Sequence, residues 1–305
     1  MIFKLSKRKS LTYQITEQLQ DKLAIGDSKH IDKQADLTDS KIYSWGTYHS
    51  YKKQLGYFAA FCKEKGCKTL AEARVYASEW LQNDVKKGLS AYTIKLRASA
   101  LAKLYGCSTA DFDVVLPSRN RSDISRSRGD KISDKNFSEA KNADLVTFCK
   151  GTGLRRAELL QIRGTDLVYK SGMPFLHVTR ATKGGRERYA PIVGDVTKIV
   201  NMLNSAGSDK VFKTVPSHAD IHSYRADYAT TIYKQNARDL ESCKSDKFIH
   251  PKKDCHGNII VDKTAVYHFR GDRVGDWLDK KAMLAASQAL GHNRIDVIAG
   301  HYIRL

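Results

Sequence analysis

Ala289-Leu-Gly-His-Asn-Arg-Ile-Asp-Val-Ile-Ala-Gly-His-Tyr302, a stretch near the end of the chain, decides how the sequence is interpreted. Ile295, Ile298 and Tyr302 recur at the spacing of one helix face, so the stretch predicts an amphipathic α-helix. On this pattern alone, Tyr302 would be the last core residue of that face. Three upstream segments that carry arginine, lysine and histidine give the tyrosine a second interpretation.

The composition indicates a folded and strongly basic chain. Its 305 residues, of which 41% are hydrophobic, suffice for two domains with their own cores. The formal net charge is +19, and both parts contribute. Residues 1–125 carry 21 Lys and Arg against 13 Asp and Glu, and the remainder carries 31 against 20. A basic surface on both parts favours a polyanionic partner, most often nucleic acid, with binding that weakens steeply with salt.

The cysteines and the first residues predict a cytoplasmic location. The six cysteines are scattered and lack the short, even spacings of a disulfide framework. The N-terminus has no long apolar stretch of the signal-peptide type. No run of about 18 apolar residues occurs, so no membrane-spanning helix is predicted. We therefore expect a reduced, cytoplasmic protein without a membrane partner.

The first part of the chain predicts an all-α bundle. Gly66 and Gly88 are typical helix ends, and Thr69 with Glu72 has the spacing of a capping box. Residues 26–40 are polar and predict a loop. The predicted helices span residues 11–24, 42–65, 69–87 and 91–105.

A Ser- and Arg-rich stretch, residues 117–130, is interpreted as a linker because it contains no candidate core residues. It separates a helical domain, residues 1–116, from a second domain, residues 131–305. A basic linker between two basic domains fits a segment that lies along DNA phosphates. An ordinary solvated linker is the alternative, and the sequence does not decide between them.

The second domain combines helices with a small antiparallel sheet. Residues 136–149 predict a helix, and a glycine-broken turn leads into the next one. Residues 175–179 and 188–193 flank a Lys-Gly-Gly turn and predict a β-hairpin. Further helices follow, except over residues 236–278, which contain a possible hairpin turning near Gly257-Asn258. The predicted fold class is therefore mainly α, with an all-α N-terminal bundle and an α+β C-terminal domain.

Four segments of the second domain carry side chains suited to phosphate chemistry. Metal-free cleavage of a DNA phosphodiester needs a nucleophile, cations on the non-bridging oxygens and an acid for the leaving 5′-hydroxyl. Arginine suits the oxygens because its guanidinium binds phosphate bidentately and stays charged. Tyrosine suits the nucleophile because it can form a covalent phosphotyrosine. We therefore assign Arg155 and Arg225 to the phosphate and Tyr302 to the attack. The segments are Thr152-Gly-Leu-Arg-Arg-Ala-Glu-Leu159, Ala181-Thr-Lys-Gly-Gly-Arg-Glu-Arg188, His222-Ser-Tyr-Arg225, and Leu290-Gly-His292 followed by Tyr302.

In these segments the sequence resembles the tyrosine recombinases, the site-specific recombinases of the phage-integrase type. The resemblance covers residues 150–302, and the preceding helical region is similar in size and pattern to that family's core-binding domain. It implies that Lys183 is the general acid, that His222 helps to deprotonate the tyrosine, and that His292 donates a hydrogen bond to the phosphate. Taken singly, each residue could also be an ordinary solvated or core side chain. Four such segments in this order are not explained in that way.

The resemblance implies a site-specific recombinase of a mobile element. Such an enzyme cleaves and rejoins DNA strands through a covalent 3′-phosphotyrosine, without ATP, metal or another cofactor. Its partners would be double-stranded DNA with specific core sites and further copies of the chain, as a tetramer on synapsed DNA at the bacterial nucleoid. Glu158, three residues after Arg155, is expected to orient that arginine. Two alternatives stay open: a catalytically silent sequence-specific DNA-binding protein on the same fold, and a type IB topoisomerase-like enzyme.

Two spacings depart from the family pattern. Tyr302 follows His292 by ten residues, one more than is usual, and the long step before His292 marks residues 236–278 as an insertion. The insertion contains four side chains of metal-binding type, but their spacing does not match a standard zinc-binding pair. Incidental residues are therefore favoured over a zinc site. The four are Cys243, His250, Cys255 and His256.

Overall fold

Helices make up most of the chain, and small antiparallel sheets complete it, so the predicted fold class is confirmed. The computed structural model describes residues 9–120, 137–254, 256–270, 273–292 and 294–304. The chain divides into two units, Met1–Arg119 and Asn120–Leu305. Most of the predicted linker lies outside the described residues. None of the described helices is long and apolar enough to cross a membrane.

The first unit is a helical bundle around an aromatic and aliphatic core. Phe58 and Trp80 pack in this core with ring centroids 5.2 Å apart, and both are buried. Short 3-10 turns occur at Thr38–Ser40 and Thr109–Asp111. The helices are α1 (Leu11–Gln20), α2 (Lys29–Gln34), α3 (Trp45–Glu64), α4 (Leu70–Arg74), α5 (Ala77–Lys86) and α6 (Ala91–Tyr105).

Two predictions for this unit are wrong. Helix α2 lies within the predicted loop, because Ser28 caps it and Asp32 pairs with Lys41 at 3.0 Å, so polar contacts stabilise it in place of an apolar stripe. The helix predicted over residues 69–87 is two helices. Val75 and Tyr76, both weak helix formers, lie at the break, and Val75 is exposed, so packing does not compensate.

The second unit contains a long helix, α10 (Ile221–Asn236), that packs against two other helices. Helix α10 packs against α7 and α12. Small residues such as Ala226, Ala229, Ala282 and Ala286 lie in the shared core and allow the backbones to approach closely. The helices are α7 (Ala143–Thr152), α8 (Arg156–Leu159), α9 (Val196–Ala206), α10 (Ile221–Asn236), α11 (Leu240–Ser245), α12 (Lys280–Ala289) and α13 (Ile295–His301).

Three small antiparallel sheets complete the described part of the second unit. The first, in the order β1-β2-β3, contains the predicted hairpin as β2 and β3, and adds β1, which was not predicted. The hairpin predicted near Gly257 is confirmed as β4 paired with β5, whereas the β6–β7 pair was not predicted. The strands are β1 (Leu167–Lys170), β2 (Met173–Val178), β3 (Arg188–Pro191), β4 (Phe248–Lys253), β5 (Ile259–Asp262), β6 (Val266–His268) and β7 (Trp277–Asp279).

Gly153 joins α7 to the segment that carries Arg155. It has a left-handed backbone (φ 60°), and a Cβ at this position would lie 2.2 Å from the buried ring of Tyr228. We expect Gly153→Ala to lower the free energy of unfolding by roughly 2–4 kcal/mol, because strain and overpacking combine. Denaturant unfolding measures this loss. Gly172→Ala is the matched control, since Gly172 has φ 77° and open space around it. Equal losses in both variants would contradict the packing argument.

Candidate active site

The carboxyl end of α12 collects three arginine side chains. The carbonyl oxygen of Ala289 accepts a hydrogen bond from Arg188 Nε at 3.1 Å. The carbonyl oxygen of Leu290 accepts one from Arg155 Nη2 and one from Arg225 Nη2, both at 3.3 Å. Carbonyls at a helix end have no partner within the helix and carry its negative partial charge. The two arginines assigned to the phosphate therefore converge on one oxygen atom.

Glu158 fixes Arg155 from two directions. Its Oε2 accepts from the backbone N–H of Arg155 at 2.7 Å, and its Oε1 accepts from the guanidinium at 2.8 Å. Arg188 adds two hydrogen bonds to the same carboxylate, at 2.9 and 2.7 Å. Burial alone would raise the pKa of Glu158, but the hydrogen bonds and charges of Arg188 and Arg155 lower it to about 2. The carboxylate is therefore ionised at neutral pH.

Arg188 is the residue of this cluster that received no role from the sequence. It is the first residue of β3. Arg188 lies on the same face of the strand as buried Ala190, and exposed Tyr189 lies on the opposite face, so the Arg188 side chain points to the core side. An arginine at an inward position of a predicted strand was the available signal. Its partner could not be read from that pattern.

Arg225 is 1% exposed and lies beside Tyr302. Its guanidinium donates to the carbonyls of Gly153 and Leu290, and its carbon centre lies 5.7 Å from the centroid of the Tyr302 ring. Its Nε is buried and has no hydrogen-bond partner among the described residues. Burial, followed by repulsion from Arg155, lowers the pKa of Arg225 to about 10, so it stays charged at neutral pH.

Tyr302 directly follows the last residue of α13 and is 7% exposed. Its backbone N–H and that of Ile303 both donate to the carbonyl of Ile298, at 2.9 and 3.1 Å, so the helix ends in a widened turn. The ten-residue step from His292 still brings the two rings together, with centroids 5.6 Å apart. The apolar face predicted for this stretch is also present, since Ile298 is fully buried.

His292 lies in the turn between α12 and α13. Its Nε2 is buried and has no hydrogen-bond partner among the described residues. Burial lowers the pKa of His292 to about 4, and the charges of Arg155, Arg225 and Lys183 contribute. The ring is therefore neutral at physiological pH and has one N–H to donate.

Lys183 and His222 are the two assigned residues with exposed side chains. Lys183 begins a 3-10 turn, Lys183–Gly185, between β2 and β3. His222 lies one turn before Arg225 at the start of α10 and lines a cavity of about 670 Å³ that Arg155 and Arg225 also line. Contacts thus bring Arg155, Arg225, His292 and Tyr302 together, His222 lines the same cavity as the two arginines, and the charge of Lys183 acts on His292. Positive charges are in excess there, which favours an anion.

Known proteins share this fold. Residues 34–110, within the helical bundle, match the family described as phage integrase, N-terminal SAM-like domain. The whole chain is similar to the XerH site-specific recombinase solved with palindromic difH substrate in a post-cleavage complex. The TM-score is 0.50 and the identity 15%, over 97% of this chain and 94% of that one. The chain has the tyrosine recombinase fold.

The resemblance read from the sequence is therefore confirmed at the level of the fold. The Tn1549 transposon integrase in complex with circular intermediate DNA is also similar, with a TM-score of 0.44 and 13% identity over 97% of this chain and 96% of that one. No curated protein matches the sequence.

Arg156, the neighbour of Arg155, binds the loop that leads into α10. Its guanidinium donates to four carbonyls of the loop that leads into α10, at 2.7–3.2 Å. This arginine therefore organises the loop before His222. The acceptors are the carbonyls of Val215, Pro216, Ser217 and Ala219.

We expect Arg156→Ala to lower the free energy of unfolding by about 2 kcal/mol, because several carbonyls lose a charged donor. Chemical denaturation of the purified protein measures the change. Arg186→Ala, which removes the same charge from an exposed position, is the control and should change stability by less than about 0.5 kcal/mol. If the two variants are equally stable, the loop-organising role of Arg156 is wrong.

The segment predicted as an insertion holds a small core of its own. Cys243 is buried together with Phe248 and Val266, and His250 lies 3.0 Å from Asp262. Within the described residues, no group of three or more His, Cys, Asp or Glu side chains is arranged to hold a metal ion. Cys255 lies outside the described residues. Packing thus accounts for Cys243, and the contact with the Asp262 carboxylate accounts for His250.

Proposed function

We propose that this protein is a site-specific DNA recombinase that cleaves a DNA strand by attack of Tyr302 on a phosphodiester. One observation carries the proposal. Arg155 and Arg225 converge on the Leu290 carbonyl, and Tyr302 lies beside Arg225 and His292. The guanidinium groups supply cations, the neutral histidine supplies a hydrogen-bond donor, and the phenol supplies a nucleophile for phosphoryl transfer.

The proposed step exchanges one phosphoester for another. The Tyr302 hydroxyl oxygen forms a bond to phosphorus, and the bond from phosphorus to the 5′-oxygen breaks. The phenolic proton passes to His222, and Lys183 supplies a proton to the leaving 5′-oxygen. Arg155 and Arg225 bind the non-bridging oxygens, on which negative charge builds in the transition state. Because the energy stays in the 3′-phosphotyrosine bond, the reverse reaction can rejoin a strand without ATP.

Double-stranded DNA with specific core sites is the proposed substrate. The net charge of +19 supports a polyanionic partner, and the match of residues 34–110 to an integrase domain supports a role for the first unit in holding it. The similar XerH structure contains a DNA substrate. We further propose that strand exchange takes place in a tetramer on two synapsed sites.

The proposal is tested with DNA from both sides of the coding sequence. Footprinting locates the protected core site, and a nicked version of that site then traps the covalent intermediate, with EDTA present and ATP absent. We expect a protein–DNA adduct that resists denaturation. Stoichiometric binding without an adduct would instead support a silent DNA-binding protein. Relaxation of a supercoiled plasmid of arbitrary sequence would support a topoisomerase.

A further inference from the structure

Arg188 makes its side-chain hydrogen bonds inside the protein. It is 7% exposed, and its two terminal nitrogens donate to the two oxygens of Glu158 at 2.9 and 2.7 Å. Its Nε donates to the carbonyl of Ala289 at 3.1 Å. All three nitrogens therefore already donate within the protein, and the buried guanidinium is committed to Glu158 and Ala289, although Arg188 lies in the same cluster as Arg155 and Arg225.

We propose that Arg188 is a positioning residue for the cleavage reaction: it holds Glu158 so that this carboxylate fixes Arg155 without neutralising it. The inference rests on the proposed function. A single carboxylate facing a single arginine would cancel its charge. With Arg188 on the far side of Glu158, the three groups keep one net positive charge, and Arg155 keeps its attraction for a phosphate. The bidentate Arg188 pair also compensates the burial of the carboxylate.

Arg188 also connects the elements that carry the other site residues. Its bond to Ala289 fixes the end of α12, where the next carbonyl, of Leu290, anchors the two phosphate-binding arginines. Gly291 follows with φ 73°, and a Cβ there would lie 2.9 Å from Cδ of Arg188. The arginine thus packs tightly against the turn that leads to His292. A single side chain ties β3 to α8 and to this turn.

The test compares wild type with Arg188→Gln in a single-turnover assay on the nicked core site. We expect the rate of adduct formation to fall about 100-fold, because Arg155 loses its fixed position. The dissociation constant for DNA should change less than about threefold, since Arg188 is buried and is not among the residues that line the cavity. Arg180→Gln is the matched control, because Arg180 also pairs with a carboxylate, that of Asp166, and neither residue lines the cavity. It should keep the wild-type rate.

The pH profile separates positioning from a general loss of structure. Three charged groups face Glu158: Arg155 beside its own helix, Arg188 from β3 and, further away, Arg225 from α10. In wild type the low pKa keeps Glu158 ionised between about pH 5 and pH 9. Without Arg188, burial should raise the pKa of Glu158, so that the rate falls further as the pH decreases. His292 titrates nearby, and the loss of a neighbouring cation should raise its pKa as well.

A double variant, Glu158→Gln with Arg188→Gln, decides between these two titrating groups. The additional fall in rate at low pH should disappear in the double variant, because the carboxylate is gone. If the fall in rate at low pH persists, it comes from His292, and the proposed link through Glu158 is overturned. A wild-type rate and pH profile in Arg188→Gln would overturn the whole inference.

The pH dependence of unfolding, measured without DNA, tests the link between Arg188 and Glu158 independently of the proposed function. The low folded-state pKa of Glu158 means that its contribution to stability is present above its unfolded pKa and is lost as the pH falls through about 2. In Arg188→Gln the pKa is raised instead, so the deficit relative to wild type should be larger near neutral pH than at about pH 4. A deficit independent of pH would overturn the inference. If this shift is present but wild type forms no adduct, only the proposed function fails.

Discussion

Tyr302→Phe is expected to abolish the covalent protein–DNA adduct while leaving DNA binding intact. The variant loses only the nucleophilic oxygen, and the ring keeps its place beside Arg225 and His292. We expect the cleavage rate to fall at least about 1000-fold, as for removal of other catalytic nucleophiles. Adduct formation on the nicked core site and a binding titration on the intact site measure the two effects.

Tyr267→Phe provides the control for the loss of a phenolic hydroxyl. Tyr267 packs at the edge of the same apolar cluster as Tyr302, on β6. It should form adducts at the wild-type rate. Adducts that survive in Tyr302→Phe would show that another residue attacks the phosphate.

Arg225→Gln is expected to have the second-largest effect, on both the reaction and the fold. The guanidinium is buried and serves two carbonyls as well as the proposed phosphate. Loss of a charge-stabilising donor typically lowers a rate about 100–1000-fold. Leaving the carbonyls of Gly153 and Leu290 under-satisfied should also cost roughly 2 kcal/mol of unfolding free energy. Single-turnover cleavage and denaturant unfolding measure the two losses separately.

Arg163→Gln is the control for this variant, because Arg163 also donates to a backbone carbonyl, that of Ser208, outside the site. It should lose some stability and keep its cleavage rate. If Arg225→Gln cleaves DNA as fast as Arg163→Gln at matched folded concentration, Arg225 is structural only.

Much of the fold was predictable because its signals are local. Ser90 accepts a hydrogen bond at the start of α6 and Gly106 ends that helix with φ 64°, so the predicted bounds agree with Ala91–Tyr105. The Lys-Gly-Gly turn likewise marked the β2–β3 hairpin. One prediction failed where the stabilising contact lies outside the element itself. Helix α2 has a local cap in Ser28 but no apolar stripe, and its pairing of Asp32 with Lys41 could not be read from the pattern of the helix.

The candidate site shows the same limit. Its residues could be assigned from four segments, because arginine, histidine, lysine and tyrosine each bring a recognisable chemistry. The groups that hold these side chains in place could not be assigned from the sequence. Arg188 binds Glu158 across 30 residues and Ala289 across 101 residues. The anchor shared by Arg155 and Arg225 is a backbone carbonyl, a group that every residue carries and that no sequence motif marks.

In the proposed reaction, Tyr302 becomes covalently joined to the 3′ end of a cleaved strand. The adduct trapped on the nicked core site can be digested with nuclease and protease, and the peptide that retains a nucleotide can be sequenced by mass spectrometry. We expect one modified peptide, from near the C-terminus, with a 3′-phosphate on Tyr302. A nucleotide on any other residue, or a link through a 5′-phosphate, would contradict it.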